Sequence, residues 1–227
     1  VRASLKNTVV FTVITVPLQT AGSLVLAAVI AELFHNKFGN FVKSSLFVPV
    51  IASAILVGTL WFTLLSPRGV VNSIIHAFGL PSVNWLGGKL TSMLSVCIVS
   101  VWKNVGYFLV IYFAGIMDIP RSLYEAAEVD GANAFQRFFK ITLPGLSSVT
   151  FLVVTLGTIW SFQVFDLVYT MTGGGPGTST VTLVLTTYNA AFKEYNMGYA
   201  SAVAMLMFVF VLAVSGLQKL LLKGGED

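Results

Sequence analysis

The stretch "LYEAAEVDGANAFQRFFKITLP", residues 123–144, is a polar insert in an otherwise apolar chain. Charged residues make up only 10% of the 227 residues, yet this insert holds Glu125, Glu128, Asp130, Arg137 and Lys140. Hydrophobic residues make up 56% of the chain and gather in long runs, unlike the alternation expected on a half-buried globular surface. The composition therefore predicts a polytopic membrane protein with the insert outside the bilayer.

Five apolar stretches are long enough to cross a bilayer as helices. A hydrocarbon core of about 30 Å requires about 20 apolar residues per helix. The predicted spans are residues 8–33, 46–65, 93–117, 146–169 and 199–222. A shorter apolar piece, residues 181–192, is expected to lie at the interface or to extend a neighbouring span. We therefore predict an all-α fold in which residues 1–227 form a single transmembrane domain.

The position of the insert determines the orientation of the spans. If the insert is cytoplasmic, residues 34–43 and the C-terminus are also cytoplasmic, and the N-terminus lies outside. Seven Lys and Arg residues are then inside and five outside, a small excess in the direction expected for cytoplasmic loops. Because an outside N-terminus beginning at Val1 shows no signal-peptide pattern, we expect at least one further span upstream.

Few residues of this chain are suited to metal binding. Cys97 is the one cysteine, which excludes an internal disulfide and a cysteine-based metal cluster. His35 and His76 are far apart in the sequence, so we expect two ordinary loop histidines and no metal site. The net charge of +4 does not indicate a nucleic-acid partner, because basic residues beside membrane spans usually reflect orientation.

The first half of the insert has the pattern of a short helix with a small-residue surface. Pro120 and Ser122 mark a helix start, and Ser122 with Glu125 has the spacing of a capping box. Ala126 and Ala127 leave the surface of this helix with almost no side-chain bulk. Such a surface suits docking against another protein.

The second half of the insert contains a turn and a second helix. Gly131 permits the left-handed backbone that ends the first helix. A second short helix is predicted over residues 132–141, and Pro144 sets the entry to the fourth span. These elements, within residues 118–145, predict a helix-turn-helix bracket. The alternative is a solvated loop that only returns the chain to the membrane.

The insert also carries a known motif. The insert has the pattern Glu-Ala-Ala, then three residues, Gly, nine residues and Ile-x-Leu-Pro. This pattern resembles the cytoplasmic loop of permease subunits in binding-protein-dependent ABC importers. The motif is complete here as Glu125, Ala126, Ala127, Gly131, Ile141, Leu143 and Pro144. The resemblance implies coupling to an ATPase subunit through Glu125, Ala126, Ala127, Asp130, Gly131, Phe138 and Pro144.

The resemblance extends through nearly the whole chain. Residues 5–33, 101–132 and 169–204 are similar to the opening, central and closing parts of carbohydrate-uptake permeases. The Gly-Gly-Gly-Pro stretch resembles the F-type half of a heterodimeric pair, as in maltose and glycerol-phosphate importers. The resemblance implies the transmembrane domain fold of an ABC type I importer, in the inner (cytoplasmic) membrane of a bacterium.

The resemblance also implies partners. A second, G-type permease subunit completes the path, two ATPase subunits bind the cytoplasmic helices, and an extracytoplasmic solute-binding protein delivers a small-molecule sugar. ATP and Mg are expected on the ATPase subunits, and membrane lipid surrounds the spans. This chain itself is expected to hold no cofactor and to catalyse no reaction.

A glycine-rich stretch, "TGGGPGTST" at residues 172–180, is not a phosphate-binding loop. It lacks the Lys-Ser/Thr pair of such loops, and we predict a tight turn over Gly173, Gly174, Gly175 and Pro176. The chain also lacks the His-Glu-x-x-His and Gly-x-Ser-x-Gly motifs of hydrolases. Catalysis by this chain is therefore not supported.

Polar and aromatic residues of the third and fourth spans lie at similar depths. Lys103 lies about 22 Å above Asp118, and Ser161 lies about 25 Å above Pro144. Polar groups inside a membrane tend to face a cavity or a partner, because facing lipid costs on the order of a few kcal/mol. We predict that a belt along the substrate path contains Trp102, Lys103, Asn104, Tyr107, Trp160, Ser161 and Gln163.

The chemistry of this belt suits sugars, whose rings offer an apolar face and a rim of hydroxyl groups. The resemblance implies the same, because these stretches of the maltose-type F subunit contribute substrate contacts. For each aromatic residue, the alternative is a role in helix packing or a position at the membrane interface. For Lys103, the alternative is that its side chain extends to the outer interface and places the ammonium group there. Asp166 lies higher and is left as an interfacial or gating residue.

Three functions are compatible with these patterns. The favoured one is the permease subunit of an ATP-driven importer for a sugar or sugar-like solute. A secondary transporter would also place polar groups at the midplane, but the five predicted spans contain no inverted repeat. A membrane scaffold or sensor would explain the bracket but not the belt.

Overall fold

The computed structural model describes residues 1–33 and 37–223, which form helices joined by short connections. His35 lies outside the described residues. The α-helices are α1 (Arg2–Leu33), α2 (Lys37–Ile51), α3 (Ala54–Leu64), α4 (Val70–Ala77), α5 (Lys89–Asp118), α6 (Arg121–Val129), α7 (Ala134–Arg137), α8 (Leu143–Gly145), α9 (Ser147–Phe162), α10 (Asp166–Met171), α11 (Leu183–Tyr188) and α12 (Met197–Lys223). Two π-helical segments, Phe138–Thr142 and Asn189–Lys193, follow α7 and α11.

Among the described residues, three helices are long and apolar enough to cross a membrane alone, namely α1, α5 and α12. Two further candidate spans are bent helix pairs, with 96° between α2 and α3 and 69° between the α7–α8 segment and α9. Counting each pair once gives five candidate spans in an all-α polytopic fold, as many as predicted, although the second pair includes residues 134–145, which were expected outside the bilayer. The predictions of continuous helices over 46–65 and 146–169 are wrong, because the chain leaves the helix at residues 52–53 and 163–165.

The second span is broken by a change of backbone conformation at Ser53, which has φ −55° and ψ 133°. The last carbonyls of α2 are therefore left outside a continuous helical ladder. Before the break, α2 packs closely on α5 where Gly106 faces the backbone of Leu46. A Cβ at Gly106 would collide with the Leu46 carbonyl oxygen, so glycine sets how closely the two helices approach.

The first helix lies along α5 and α9 and carries polar groups on its buried face. The hydroxyls of Thr8, Thr12 and Ser23 donate to the carbonyls four residues earlier at 2.9, 2.9 and 2.6 Å. These bonds satisfy hydroxyls that have no access to water. The core opposite is apolar and includes Phe108 and Tyr112, both fully buried.

The last helix, α12, packs against α9 and α11 and leaves the rest of its surface open. Large apolar residues on that surface, including Met205, Phe208 and Leu212, are more than half exposed. Water does not favour exposure of a continuous apolar surface, whereas lipid or another membrane protein covers it. The surface of α12 is therefore that of a helix in a bilayer.

Replacing Gly106 by Ala should destabilise the protein, because the added methyl group meets backbone atoms that no rotamer change can move. We expect a cost of about 1–3 kcal/mol, measured as a lower midpoint of thermal unfolding in detergent. Gly216→Ala is the matched control, because a Cβ there meets nothing within 4 Å. A midpoint for Gly106→Ala equal to that of the control would contradict the close approach of α2 and α5.

Candidate functional site

The bracket comprises residues 121–145 and begins with α6. Pro120 precedes this helix with φ −56° and ψ 125°, so Ser122 already lies inside it. The predicted capping box of Ser122 and Glu125 is wrong, because a capping residue needs the non-helical backbone that Pro120 has here. Glu125 lies instead 4.0 Å from Arg121, one turn earlier, in an exposed ion pair.

The turn after α6 has the predicted left-handed residue, since Gly131 has φ +75°. The second helix of the bracket begins with a capping box of Asn133 and Gln136, whose two reciprocal hydrogen bonds are both 2.9 Å long. This cap was not predicted, although the Asn-x-x-Gln pattern at Asn133 and Gln136 is visible in the sequence. The predicted helix over 132–141 is in the right place, but only α7 is α-helical and a π-helix follows it over Phe138–Thr142.

The bracket is held at a defined angle to α9. The hydroxyl groups of Tyr124 on α6 and Thr142 in the π-helix share a hydrogen bond of 2.9 Å. Pro144 lies in α8, and the chain then bends by 69° before α9 begins at Ser147. The two helical parts of the bracket are therefore joined to each other and to the entry of the fourth span.

The outer surface of the bracket is open, since α6 has no buried residue. The predicted coupling residues Ala127 and Phe138 are half-buried. The exposed ones are Glu125, Ala126, Asp130, Gly131 and Pro144. Beside them, the apolar side chains of Val129 and Phe135 are 89% and 72% exposed. Exposed apolar groups next to small residues suit contact with another protein.

Arg137 connects the bracket to the inner end of α1. Its Nη1 donates to the Glu128 carboxylate at 2.6 Å, and its Nη2 donates to the carboxylate of Glu32. The Arg137 side chain is only 16% exposed. Sequence analysis assigned no role to this pair, because 105 residues separate Glu32 from Arg137 and no local pattern relates them.

Lys103 lies in the middle of α5 and reaches the break between α2 and α3. Its ammonium group donates to the Val50 carbonyl oxygen at 3.2 Å. The last carbonyls of a helix lack intrahelical partners and carry a partial negative charge, which favours a cation. Lys103 therefore does not extend to the outer interface in this structure. Its neighbour Asn104 donates to the hydroxyl of Ser100 at 3.5 Å.

Tyr107 of α5 and Trp160 of α9 are brought together, with ring centroids 4.9 Å apart. Phe108 contacts both rings at 5.4 Å. Ser161, which follows Trp160, is buried, whereas Gln163 is exposed at the end of α9. The third and fourth spans therefore meet through Tyr107, Phe108 and Trp160.

Trp102 is separated from this aromatic group. Its ring packs edge-on against Trp61 of α3, with centroids 5.4 Å apart. Asp166, which we expected to lie higher, is exposed at the first position of α10. The aromatic residues of the predicted belt are therefore divided between two separate contacts.

The chain leaves the helix between α9 and α10, and Thr182 supports the freed backbone. Its hydroxyl donates to the Val164 carbonyl at 3.2 Å and accepts from the Leu185 amide at 3.3 Å. The Thr182 side chain thus caps α11 and also satisfies a carbonyl group between α9 and α10. The glycine-rich stretch after α10 forms the predicted turn, with Gly173 and Gly174 at φ +59° and +96°.

An aromatic cluster beyond α9 was missed by sequence analysis. Phe165 stacks on Tyr169 with centroids 5.2 Å apart, and the Tyr188 ring lies 4.9 and 5.5 Å from these two rings. A hydrogen bond with Tyr169 raises the pKa of the Tyr188 hydroxyl above its ordinary value. Tyr188 comes from a different helix, α11, so spacing along the sequence gives no signal for this cluster.

Comparison with known proteins identifies the family. A family model described as "Binding-protein-dependent transport system inner membrane component" matches residues 5–224. The chain belongs to this family. It is therefore a permease component of an ABC importer and not an enzyme, as the motif in the bracket predicted.

Relatives of this permease include carbohydrate transporters. It is 38% identical to the probable ABC transporter permease protein YurN of Bacillus subtilis (strain 168), over 99% of this chain and 78% of that protein. It is 36% identical to the sulfoquinovosyl glycerol transport system permease protein SmoG of Agrobacterium fabrum, over 92% of this chain and 68% of SmoG. It is 35% identical to the trehalose/maltose transport system permease protein MalF of Thermococcus litoralis, over 91% and 69%.

The fold of the permease matches that of a solved importer. A crystal structure of a bacterial ABC transporter involved in the import of the acidic polysaccharide alginate contains a similar chain, with a TM-score of 0.90. The match covers 99% of the permease and 79% of that chain at 24% sequence identity. This similarity confirms the fold of an ABC importer permease.

Thr182→Val preserves the shape of the side chain but removes the hydroxyl that supports the break before α10. We expect the permease to lose about 1–2 kcal/mol of stability, measured as a lower midpoint of thermal unfolding in detergent. Thr187→Val is the matched control, because the Thr187 hydroxyl donates within its own helix to Leu183 at 3.0 Å. Equal midpoints for the two variants would show that Thr182 does not support the break.

Proposed function

We propose that this permease is one of the two transmembrane halves of an ATP-driven importer and that its bracket couples the spans to an ATPase subunit. The observation that carries the proposal is the exposed motif on the bracket. Glu125 and Ala126 lie on a helix without a buried residue, beside a turn in which Gly131 has positive φ. Outside the spans, such an open helix flanked by exposed apolar side chains favours a protein partner.

The connections of the bracket support a mechanical role. The bracket follows α5 after Ile119 and Pro120, and it leads into α9 through Leu146. A displacement of the bracket therefore moves the inner ends of both helices. Closure of the ATPase pair on ATP would in this way switch the path between inward-facing and outward-facing states.

The other subunits are proposed from the family. We infer two ATPase subunits that bind ATP and Mg, a G-type permease subunit that pairs with this F-type chain, and an extracytoplasmic solute-binding protein. In one related structure, a bacterial alginate ABC transporter is in complex with an alginate pentasaccharide-bound periplasmic protein. The complex would lie in the inner membrane of a bacterium, with the bracket on the cytoplasmic side.

We assign the substrate path to the belt. The rings of Tyr107 and Trp160 offer aromatic faces of the kind on which sugar rings pack, and they lie together. We propose that Lys103, Asn104, Ser161 and Gln163 add hydrogen-bonding groups to this path, with Trp102 at the flank. Relatives named for sulfoquinovosyl glycerol and trehalose/maltose transport support a sugar or sugar-like substrate. The family match disfavours a secondary transporter and a scaffold or sensor.

Alanine substitutions at Lys103, Asn104, Ser161 and Gln163 should impair uptake without preventing assembly with the ATPase subunits. Loss of one hydrogen bond to the substrate, at about 1 kcal/mol, should lower uptake about fivefold. Uptake of labelled sugar into proteoliposomes and co-purification of the subunits measure the two effects. Ser201→Ala, on the exposed surface of α12, is the control. Unchanged uptake in all four variants would remove the belt from the path.

Gly131→Val should uncouple the bracket, because a β-branched residue at φ +75° is strained by about 1–3 kcal/mol. A Cβ at this position meets nothing within 4 Å, so the change acts on the backbone and not on packing. We expect normal membrane levels and loss of substrate-stimulated ATP hydrolysis in the reconstituted complex. Gly131→Asn is the matched control, because asparagine adopts the left-handed conformation more readily. Full stimulation in Gly131→Val would show that the bracket is a passive loop.

A further inference from the structure

Arg137 bridges two carboxylates that belong to separate parts of the fold. Its Nη1 is 2.6 Å from the carboxylate of Glu128 on α6, and its Nη2 contacts the carboxylate of Glu32 in the last turn of α1. Each terminal nitrogen has its own partner, so the guanidinium group joins two elements and does not pair in bidentate fashion with one. The Arg137 side chain is 16% exposed, whereas those of Glu32 and Glu128 are 43% and 61% exposed, so salt screens the two pairs only in part.

Glu32 occupies a position that the stability of α1 alone does not favour. It is the penultimate residue of the helix, where the free carbonyls carry a partial negative charge. That charge favours Lys, Arg or His and disfavours a carboxylate, yet α1 has no basic residue in its last turn. The cation that compensates Glu32 comes instead from the bracket.

A cavity of about 850 Å³ separates the inner part of α1 from the bracket. Its walls include Ala28 and Val29 of α1 and Phe135 and Phe138 of the bracket. Side chains on opposite walls of the cavity gain no dispersion energy from each other, so apolar contact between the two parts is confined to the cluster in which Phe138 packs near Ala27 and Ile30 of α1. The contact between Arg137 and Glu32, which both line the cavity, joins its two walls.

The bracket continues through the backbone into α5 and α9, but α1 has no such connection to it. At the depth of the belt, α1 nevertheless lies against both helices. A Cβ at Gly22 would be 3.7 Å from Val105, and the buried side chain of Gln19 packs against Gly157. A bracket that moved α5 and α9 without α1 would break this packing.

We propose that Arg137 is a positioning residue that makes α1 move with the bracket. Its ion pairs connect Glu32 of α1 to Glu128 of α6, and we call this connection the tie. This inference rests on the coupling role proposed for the bracket. The tie is electrostatic and crosses a cavity, so its loss changes how motion is transmitted and leaves the packing of the spans intact.

The test uses the whole complex in proteoliposomes, with both permease chains, the ATPase subunits and the binding protein. The measured quantity is labelled sugar taken up per ATP hydrolysed. Glu32→Gln removes the charge but keeps the shape, and it should lower this ratio about threefold with an unchanged midpoint of thermal unfolding. Glu194→Gln, an exposed carboxylate before α12, is the control and should keep the ratio of the wild type. A wild-type ratio in Glu32→Gln would overturn the inference.

A double-mutant cycle tests whether the two residues act as a pair. Arg137→Gln should lower the ratio about as much as Glu32→Gln, and the double variant should be no worse than either, because residues in one interaction are not additive. Additive losses would show that the residues act separately and would overturn the tie.

Spin labels at Val25 on α1 and Lys140 in the π-helix of the bracket report the motion itself, since both positions are exposed and Cys97 is fully buried. In the wild type, the distance distribution between the labels should be the same with and without ATP. In Glu32→Gln it should shift or broaden on ATP binding. Identical behaviour of the two proteins would overturn the inference.

Failure of the proposed function has a different signature. The wild-type complex would then show neither sugar uptake nor substrate-stimulated ATP hydrolysis, which would also overturn the tie. If only the tie is wrong, the wild type and Glu32→Gln couple equally well while Gly131→Val does not.

Discussion

In the hydrocarbon core of a bilayer no water is available, so every peptide group that leaves a helix needs a hydrogen-bond partner from the protein. This permease breaks two of its spans, and each break has such a partner. Lys103 donates to the Val50 carbonyl where α2 ends, and Thr182 donates to the Val164 carbonyl where α9 gives way to α10. Each broken helix thus depends on a residue from another part of the chain. Irregular backbone at membrane depth occurs where it is buried or lines a cavity, which supports a path near these breaks.

The spans were predictable because a helix satisfies its own backbone hydrogen-bonding groups. The length of an apolar run therefore decides whether it can cross the membrane as a helix. The break after α2 was not predictable. Pro49 lies inside α2, and the residues around Ser53 are apolar or small, so the apolar run continues through the break. The contacts found there are tertiary, namely the Lys103 ammonium group at the end of α2 and the close approach of α2 to Gly106. Neither contact is visible in a local pattern of residues.

The same limit applies to the caps of the bracket and to the faces of the belt. Ser-x-x-Glu and Asn-x-x-Gln both fit a capping box, and the extended backbone of Pro120 rules out the first by starting the helix before Ser122. Counting residues from the bracket gives Tyr107 a depth of about 17 Å and Trp160 a depth of about 24 Å, yet their rings are in contact. Depth also does not determine the face. At about 100° per residue, Trp102 and Tyr107 lie about 140° apart around α5, so Trp102 meets Trp61 instead.

The bracket and the belt are connected by the two helices that carry them. Along α5, Tyr107 lies about 17 Å from the bracket, and its ring meets Trp160 of α9 with centroids 4.9 Å apart. A tilt of about 10° between these helices, with its pivot at the bracket, would change their separation at the rings by about 3 Å. That displacement is as long as a hydrogen bond, enough to make or break contacts with a sugar. It arises only if the bracket is stiff, because a flexible loop would absorb the rotation. In the coupling role proposed for the bracket, the hydrogen bond between Tyr124 and Thr142 would contribute by keeping the bracket rigid.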